Sequence, residues 1–236
     1  MKGVMGIGEI LFVSVAVFLG QMAFSEAADK EAIRYAVIGD SYSNGEGATP
    51  NESWPALLAR DLKAKGIEIE LVSNPSVTGW TSQQAIDKEL PEFLKAKPNF
   101  GTLLIGVNDW VQDVPEEKFR KNFVFLVGEM SKVLPNKDRL LIVTIPDFGV
   151  TPTGPRYARG RDISKGLARF NEIITEEAKK RDLRVVDIFP LSKEVKDDRS
   201  LVGPDGLHPS AKQYAEWEKL IFPVALEMVK ESTSAR

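Results

Sequence analysis

Apolar and polar residues follow two periods along this chain, and the two periods alternate. Five short segments, either apolar runs or apolar–polar alternations bounded by turn residues, have the pattern of β-strands: 34–40, 67–74, 101–109, 139–147 and 183–189. Between them, apolar residues recur every three or four positions, which predicts helices over 54–65, 81–95, 116–133, 163–180 and roughly 210–230. Because strands that alternate with helices form a parallel sheet covered on both faces, we expect a single three-layer α/β/α sandwich.

The first 27 residues have a different composition from the rest of the chain. A lysine precedes a mostly apolar stretch, and small residues and then charges follow it, which is the layout of a secretory signal peptide. This pattern predicts cleavage between Ser25 and Ala28, a secreted or periplasmic protein without stable membrane insertion, and one domain over 28–236. Glu9 interrupts the apolar stretch, whose near-spanning length makes an uncleaved membrane anchor the alternative.

Composition narrows the classes of function. Lys and Arg number 31 and Asp and Glu 34, so the formal net charge of −3 is too close to zero for a protein that binds nucleic acid. The chain has no cysteine and one histidine, which excludes disulfides, thiolate metal sites and the two-histidine zinc motif. We therefore expect no metal and no other cofactor.

Residues suited to catalysis follow three predicted strands and precede the last helix. Ligand sites in doubly wound sheets form at the carboxyl ends of the strands, so these four segments should meet in one crevice. The candidates are Ser41 in "GDSYSNGEG", Gly79 in "NPSVTGWTS", Asn108 in "GVND", and the pair Asp205 and His208 in "DGLHPS".

These residue types together suit nucleophilic attack on an ester. A serine hydroxyl becomes a nucleophile when a base takes its proton, and histidine is the side chain that changes charge near neutral pH. Asp205 lies on the same loop as His208 and can accept from its Nδ1–H, which leaves Nε2 to face Ser41. The oxyanion that forms needs preorganised donors. The candidate donors are the backbone N–H groups of Ser41 and Gly79 and the side-chain amide of Asn108.

In this order, the four blocks resemble those of the SGNH (GDSL-type) hydrolases, a family named after a Ser, a Gly, an Asn and a His. The matching residues are Gly39-Asp40-Ser41, Gly79, Gly106-Val107-Asn108-Asp109, and Asp205 with His208. The resemblance spans nearly all of residues 28–236 and implies a flavodoxin-like fold, an acyl-enzyme on Ser41 and small-molecule ester substrates. Pro75 in the second block is a departure, and the G-x-S-x-G elbow of α/β-hydrolases is absent.

Several alternatives remain open at this point. Within the family, a carbohydrate O-acetylesterase, a lysophospholipase and a thioesterase are alternatives to a general carboxylic-ester hydrolase. A catalytically silent binding module on the same fold is the alternative from another class, although no triad or oxyanion residue is missing. Asp40 and Asp109 are expected to be structural, and Asp187 is the next carboxylate to consider if Asp205 does not orient His208.

The segment from 146 to 161 should border the crevice, because it follows the fourth predicted strand. Trp80, Trp110 and Phe148 are candidates to line an acyl or sugar pocket, with core packing as the alternative. Arg156 is a candidate to meet an anionic group on the substrate, with a solvated basic loop as the alternative.

Overall fold

The computed structural model describes residues 32–231. The predicted signal peptide over 1–27, and the choice between cleavage and an anchor, lie outside the described residues. The described chain forms a five-stranded, all-parallel sheet in the order β2-β1-β3-β4-β5, which confirms the predicted fold class. Its strands are β1 (Ile33–Gly39), β2 (Ile69–Ser73), β3 (Phe100–Leu104), β4 (Leu140–Val143) and β5 (Arg184–Val186).

The two central strands, β1 and β3, are buried on both faces. Residues 35–38 of β1 have no solvent exposure, and every residue of β3 is buried. Val37 of β1 pairs with Thr102 of β3, and Leu103 of β3 pairs with Ile142 of β4. Burial on both faces is why these strands are continuous apolar runs rather than alternating ones.

Helices cover both faces of the sheet. They are α1 (Ser41–Asn44), α2 (Trp54–Ala64), α3 (Ser82–Gln84), α4 (Leu90–Lys95), α5 (Val107–Val111), α6 (Glu116–Val133), α7 (Ile163–Lys179), α8 (Phe189–Ser192) and α9 (Ala211–Glu231), with a π-helical turn at Ala85–Glu89 between α3 and α4. Helices α2 and α9 pack together on one face, and α6 packs between α4 and α7 on the other. Within residues 32–231, every helix is too short or too polar to span a lipid bilayer.

The predicted strand over 101–109 is too long at its carboxyl end. Strand β3 ends at Leu104, and Gly106 has φ +127°, a backbone conformation that favours glycine. A Cβ at this position would also lie 2.6 Å from the ring of Phe119. The chain therefore turns sharply into α5, and Asn108 lies on a short helix rather than on a strand. The fourth predicted strand, 139–147, is also too long at its carboxyl end: β4 ends at Val143.

The strand order sets the location of the crevice. After β1 the chain moves to one side, to β2, and after β2 it crosses to β3 on the other side of β1. The carboxyl ends of β1 and β3 therefore flank a topological switch point, where doubly wound sheets bind ligands.

Candidate active site

Ser41 is the first residue of α1, directly after β1. The Asp40 side chain caps this helix by accepting a hydrogen bond from the Tyr42 N–H at 3.0 Å. Gly45 then ends the helix in the left-handed conformation. Ser41 is thus held on a tight turn at the end of a central strand, where the sequence predicted it.

Asp205 and His208 form a hydrogen-bonded pair on the loop before α9. The Oδ2 atom of Asp205 lies 2.5 Å from Nδ1 of His208, and its Oδ1 accepts from the backbone N–H groups of Leu207 and His208 at 2.9 Å each. Although burial raises the pKa of Asp205, the hydrogen bonds from the His208 ring and the two N–H groups outweigh it and lower the pKa below its usual value. Asp205 is therefore a carboxylate at neutral pH.

Asp187, the other carboxylate considered for this role, lies elsewhere. It accepts from the Thr144 hydroxyl at 2.8 Å and from the Phe189 N–H at 3.1 Å, at the carboxyl ends of β4 and β5. These contacts place it in a separate depression of about 440 Å³ beside α7, which contains none of the predicted site residues. Asp205 is the carboxylate that contacts the His208 ring.

The Gly79 turn and helix α5 are tied together by the side chains of Asn108 and Asp109 in α5 and of Gln112, the residue that follows the helix. The Asn108 amide donates to the Trp80 carbonyl at 3.0 Å, and the Gln112 amide donates to the Gly79 carbonyl at 2.9 Å. Asp109 accepts from the backbone N–H of Ser82 at 2.7 Å and from its hydroxyl at 2.5 Å. These contacts fix Gly79 and Asn108 relative to each other and give Asp109 the structural role expected for it.

The N–H groups assigned to the oxyanion, those of Ser41, Gly79 and the Asn108 amide, are available to bind it. Ser41 begins α1, so its N–H has no intrahelical acceptor, and Gly79 lies on a turn with φ +84°. In residues 32–231, neither N–H donates to another protein group. The Asn108 amide has a second N–H besides the one directed at Trp80.

The candidate nucleophile, base and two oxyanion residues, from distant parts of the chain, line one cavity of about 260 Å³. The lining residues are Ser41, Tyr42, Thr78, Gly79, Val107, Asn108, Val111, Gln112, Phe148, Tyr157, Leu207 and His208. Ser41, Gly79, Asn108 and His208 therefore face the same space, as expected for strand ends that converge on one crevice. Among residues 32–231, no three His, Asp or Glu side chains are grouped to hold a metal ion.

Of the four side chains suggested for substrate contact, only Phe148 lines this cavity. Trp110 is 6% exposed and packs in the core, because its indole lies against Gly166 of α7 and under the Arg161 guanidinium, 3.9 Å from the ring centroid. Trp80 contributes its backbone carbonyl to Asn108, and its ring is not part of the lining. Arg156 is exposed on a 3-10 turn, also outside the lining.

Sequence reasoning missed several residues of the cavity wall. Val111 is the last residue of α5, and Gln112 directly follows it. At three and four positions after Asn108, both lie on the same side of the helix as Asn108. That spacing identifies them only once α5 is known to be a helix. Tyr42 and Leu207 adjoin Ser41 and His208, and the Tyr42 ring contacts the imidazole edge-on at 5.9 Å between centroids.

Buried carboxyl groups lie behind the Ser41 turn. Glu89 has no exposed surface and accepts from the Gly39 N–H at 2.9 Å. Burial raises the pKa of Glu89 to about 9, and burial together with the nearby Asp109 raises the pKa of Asp40 to about 7. The pKa of Asp109 is raised to about 6, again by burial. The turn is therefore backed by carboxyl groups that hold protons more tightly than exposed ones.

A serine, a histidine and an aspartate at the switch point of a parallel α/β sheet are the parts of a serine hydrolase. The family model of the GDSL-like lipase/acylhydrolase family matches residues 37–216. The chain belongs to this family and is a serine-type ester hydrolase by class.

One known protein is similar to this chain in sequence, and two solved structures are similar to it in fold. The GDSL esterase/lipase WDL1 of Oryza sativa subsp. japonica is 25% identical over 211 residues, which cover 83% of this chain and 75% of the relative. The lipase/acylhydrolase from Enterococcus faecalis has a similar structure (21% identity, TM-score 0.67, 83% of this chain and 96% of that chain). So does a family 3 carbohydrate esterase from Clostridium thermocellum (18% identity, TM-score 0.65, 85% and 98%).

Proposed function

We propose that the protein hydrolyses carboxylic esters through an acyl-enzyme on Ser41. His208 takes the proton from the Ser41 hydroxyl as the oxygen attacks the ester carbonyl carbon, and then gives that proton to the leaving alcohol oxygen. A water molecule attacks the acyl-enzyme with His208 again as the base. The acid is released and Ser41 regains its proton, so the net reaction consumes one water.

The observation that carries this proposal is the 2.5 Å contact between Asp205 and His208 beside the cavity that Ser41 lines. A carboxylate that accepts from Nδ1–H fixes the histidine tautomer with Nε2 free, and stabilises the imidazolium that forms in the transition state. The lowered pKa of Asp205 keeps it ionised for this role.

The oxyanion is assigned to the N–H groups of Ser41 and Gly79 and to the amide of Asn108. Donors held in place before the reaction need no reorganisation as charge develops, and one such donor is worth about 3 kcal/mol of barrier. The ties between α5 and the Gly79 turn support this assignment, because they hold two of the donors rigidly. With all five residues present, an enzyme is favoured over a silent binding module.

The test is hydrolysis of p-nitrophenyl acetate by the wild type, Ser41→Ala and Ser43→Ala. We expect turnover in the wild type and in Ser43→Ala and none above background in Ser41→Ala. Ser43 is the matched control, since it lies on the same turn but has a buried hydroxyl without a partner. An inactive but folded wild type that binds acetylated sugars would instead support the binding module.

We also propose that residues 1–27 direct export and that residues 28–236 are the mature enzyme. The charged start, the apolar stretch and the small residues before Asp29 support this. N-terminal sequencing of the protein from its native host should find a first residue between Glu26 and Asp29. An intact Met1 on protein from the membrane fraction would favour the anchor.

A further inference from the structure

The segment over 146–161 forms one wall of the cavity and is tied to the loop that carries Asp205 and His208. The Thr153 N–H donates to the Gly206 carbonyl at 2.8 Å, and the Thr153 hydroxyl donates to the Asp205 carbonyl at 3.0 Å. These two hydrogen bonds attach this side of the wall to the histidine loop.

The other end of the segment is tied to α5. Arg161 donates to the Trp110 carbonyl at 2.8 Å, stacks on the Trp110 ring and forms an ion pair with Asp113. Arg159 reaches the same carboxylate at 3.5 Å. The segment thus bridges the loop that holds the candidate base and the helix that holds the candidate oxyanion donor.

Tyr157 lies between these two attachments and lines the cavity. Its ring packs edge-on against Phe148, with 6.0 Å between centroids and an interplanar angle of 84°. Phe148 is buried, whereas Tyr157 is 37% exposed, so Tyr157 stands at the outer limit of an apolar surface. A chain that extends outward along this apolar surface would meet the aromatic ring of Tyr157.

The rest of the lining fits an uncharged group of small size. Val107, Val111 and Leu207 are apolar, and none of the twelve lining residues is Lys, Arg, Asp or Glu. The volume of about 260 Å³ lies below the roughly 300–1,000 Å³ of pockets that hold drug-sized ligands.

The two parts of the ester have different requirements in the proposed mechanism. His208 must protonate the leaving oxygen, so the alcohol lies on the imidazole side. An acyl chain is apolar and suits the apolar part of the lining, which Val107 and Val111 of α5 and the aromatic pair of Phe148 and Tyr157 provide.

We propose that Tyr157 closes the acyl pocket and restricts the enzyme to esters of short, uncharged acids, from acetyl to butyryl. This inference rests on the proposed function and names its acyl specificity. In a hydrophobic pocket, one methylene that does not fit changes kcat/KM by about tenfold or more, so an acyl-length series resolves the limit.

The experiment compares kcat/KM for p-nitrophenyl acetate, butyrate and octanoate in the wild type, Tyr157→Ala and Tyr157→Trp. We expect the wild type to prefer butyrate over octanoate by about tenfold or more. Tyr157→Ala should raise the octanoate-to-butyrate ratio by about tenfold, and Tyr157→Trp should lower the butyrate-to-acetate ratio. Phe125→Ala, which removes an exposed aromatic ring of α6, is the control and should leave both ratios unchanged.

A second series, methyl to octyl acetate, varies the alcohol and should respond little to Tyr157→Ala. Equal wild-type rates on butyrate and octanoate, or unchanged acyl ratios in both Tyr157 variants, would overturn the inference. So would an effect of Tyr157→Ala confined to the alcohol series. A wild type that hydrolyses none of these esters would contradict the proposed function itself, so the two failures are distinguishable.

Discussion

Buried carboxyl groups in two regions of the molecule differ in what surrounds them. Behind the Ser41 turn, Asp40, Glu89 and Asp109 are fully buried, and within residues 32–231 none of them pairs with a Lys or Arg. One oxygen of Asp40 and one of Glu89 have no hydrogen-bond partner. Beside α6, Glu177 of α7 is almost as buried but is surrounded by cations. It accepts from Arg120 at 2.6 Å, Lys180 at 2.7 Å and Arg181 at 2.8 Å.

The difference appears directly in the pKa values. Hydrogen bonds from Lys180, and then from Arg181 and Arg120, lower the pKa of Glu177 to about 2 despite burial, whereas burial raises that of Glu89 to about 9. The charge of Glu177 is satisfied by three cations, whereas one oxygen of Asp40 and one of Glu89 remain unsatisfied beside the candidate nucleophile. This is the distribution expected when a functional site forgoes some stability. Substitutions near Ser41 should therefore change turnover, and those at Glu177 should change stability.

The largest expected effect is on turnover in Asp205→Asn. The amide loses the negative charge and can present an N–H to the ring, which disturbs the histidine tautomer, so kcat should fall about a thousandfold or more. Steady-state kinetics on p-nitrophenyl acetate measure this change. Asp187→Asn is the control and should stay within a few-fold of the wild type; a comparable loss there would make Asp187 the orienting carboxylate.

Asn108→Ala should lower kcat by about a hundredfold to a thousandfold with little change in KM, because the lost donor acts on the oxyanion. The substitution also removes the tie to Trp80, so Gln112→Ala serves as the control: it breaks the parallel tie to Gly79 without removing a donor to the oxyanion. We expect less than a tenfold loss in Gln112→Ala. Equal losses in both variants would show that the ties, and not the oxyanion, account for the effect.

Away from the candidate site, Glu177→Gln should reduce the free energy of unfolding by about 1.5–3 kcal/mol, the range for hydrogen bonds to charged groups, with kcat unchanged. Because the folded pKa of Glu177 is lowered, its contribution is complete above the unfolded pKa of about 4.3 and is lost as the pH falls toward about 2. Chemical denaturation at several pH values should therefore show the difference from wild type shrinking on acidification. A constant difference would mean that packing, not charge, is responsible.

The smallest change is expected for Glu89→Gln near pH 5, since the amide resembles the protonated acid and keeps an acceptor for the Gly39 N–H. Because the folded pKa of Glu89 is raised, its favourable contribution is present below the unfolded pKa and is lost as the pH rises toward about 9. The Tm of Glu89→Gln relative to wild type should therefore increase with pH. Glu92→Gln, at an exposed position of α4, is the control and should show no such trend.

The sequence predicted the parallel sheet and its main helices because buried strands are continuous apolar runs and the helices have clear apolar faces. It placed strand ends less well. The run over 101–109 stays apolar past Leu104. The positive φ of Gly106 and its close approach to Phe119, which the apolar pattern does not reveal, show where the strand stops.

The candidate site was predicted where chemistry is carried by distinctive residue types. The only histidine and its aspartate three positions away were identified in this way, and their contact is present in the structure. The pocket walls were harder to predict, because an aromatic ring near a strand end packs against whatever the fold brings to it. Trp110 packs in the core against Gly166 and Arg161, residues more than fifty positions away in the sequence. Tyr157 lines the cavity from a 3-10 turn whose sequence has no apolar periodicity that would predict this position.

The most direct test of the account is covalent labelling of the nucleophile. The wild type is treated with a fluorophosphonate, and intact mass and peptide mapping locate the adduct. We expect one adduct, on Ser41, with no adduct in Ser41→Ala and normal labelling in Ser43→Ala. An adduct on any other serine, or labelling that persists in Ser41→Ala, would contradict it.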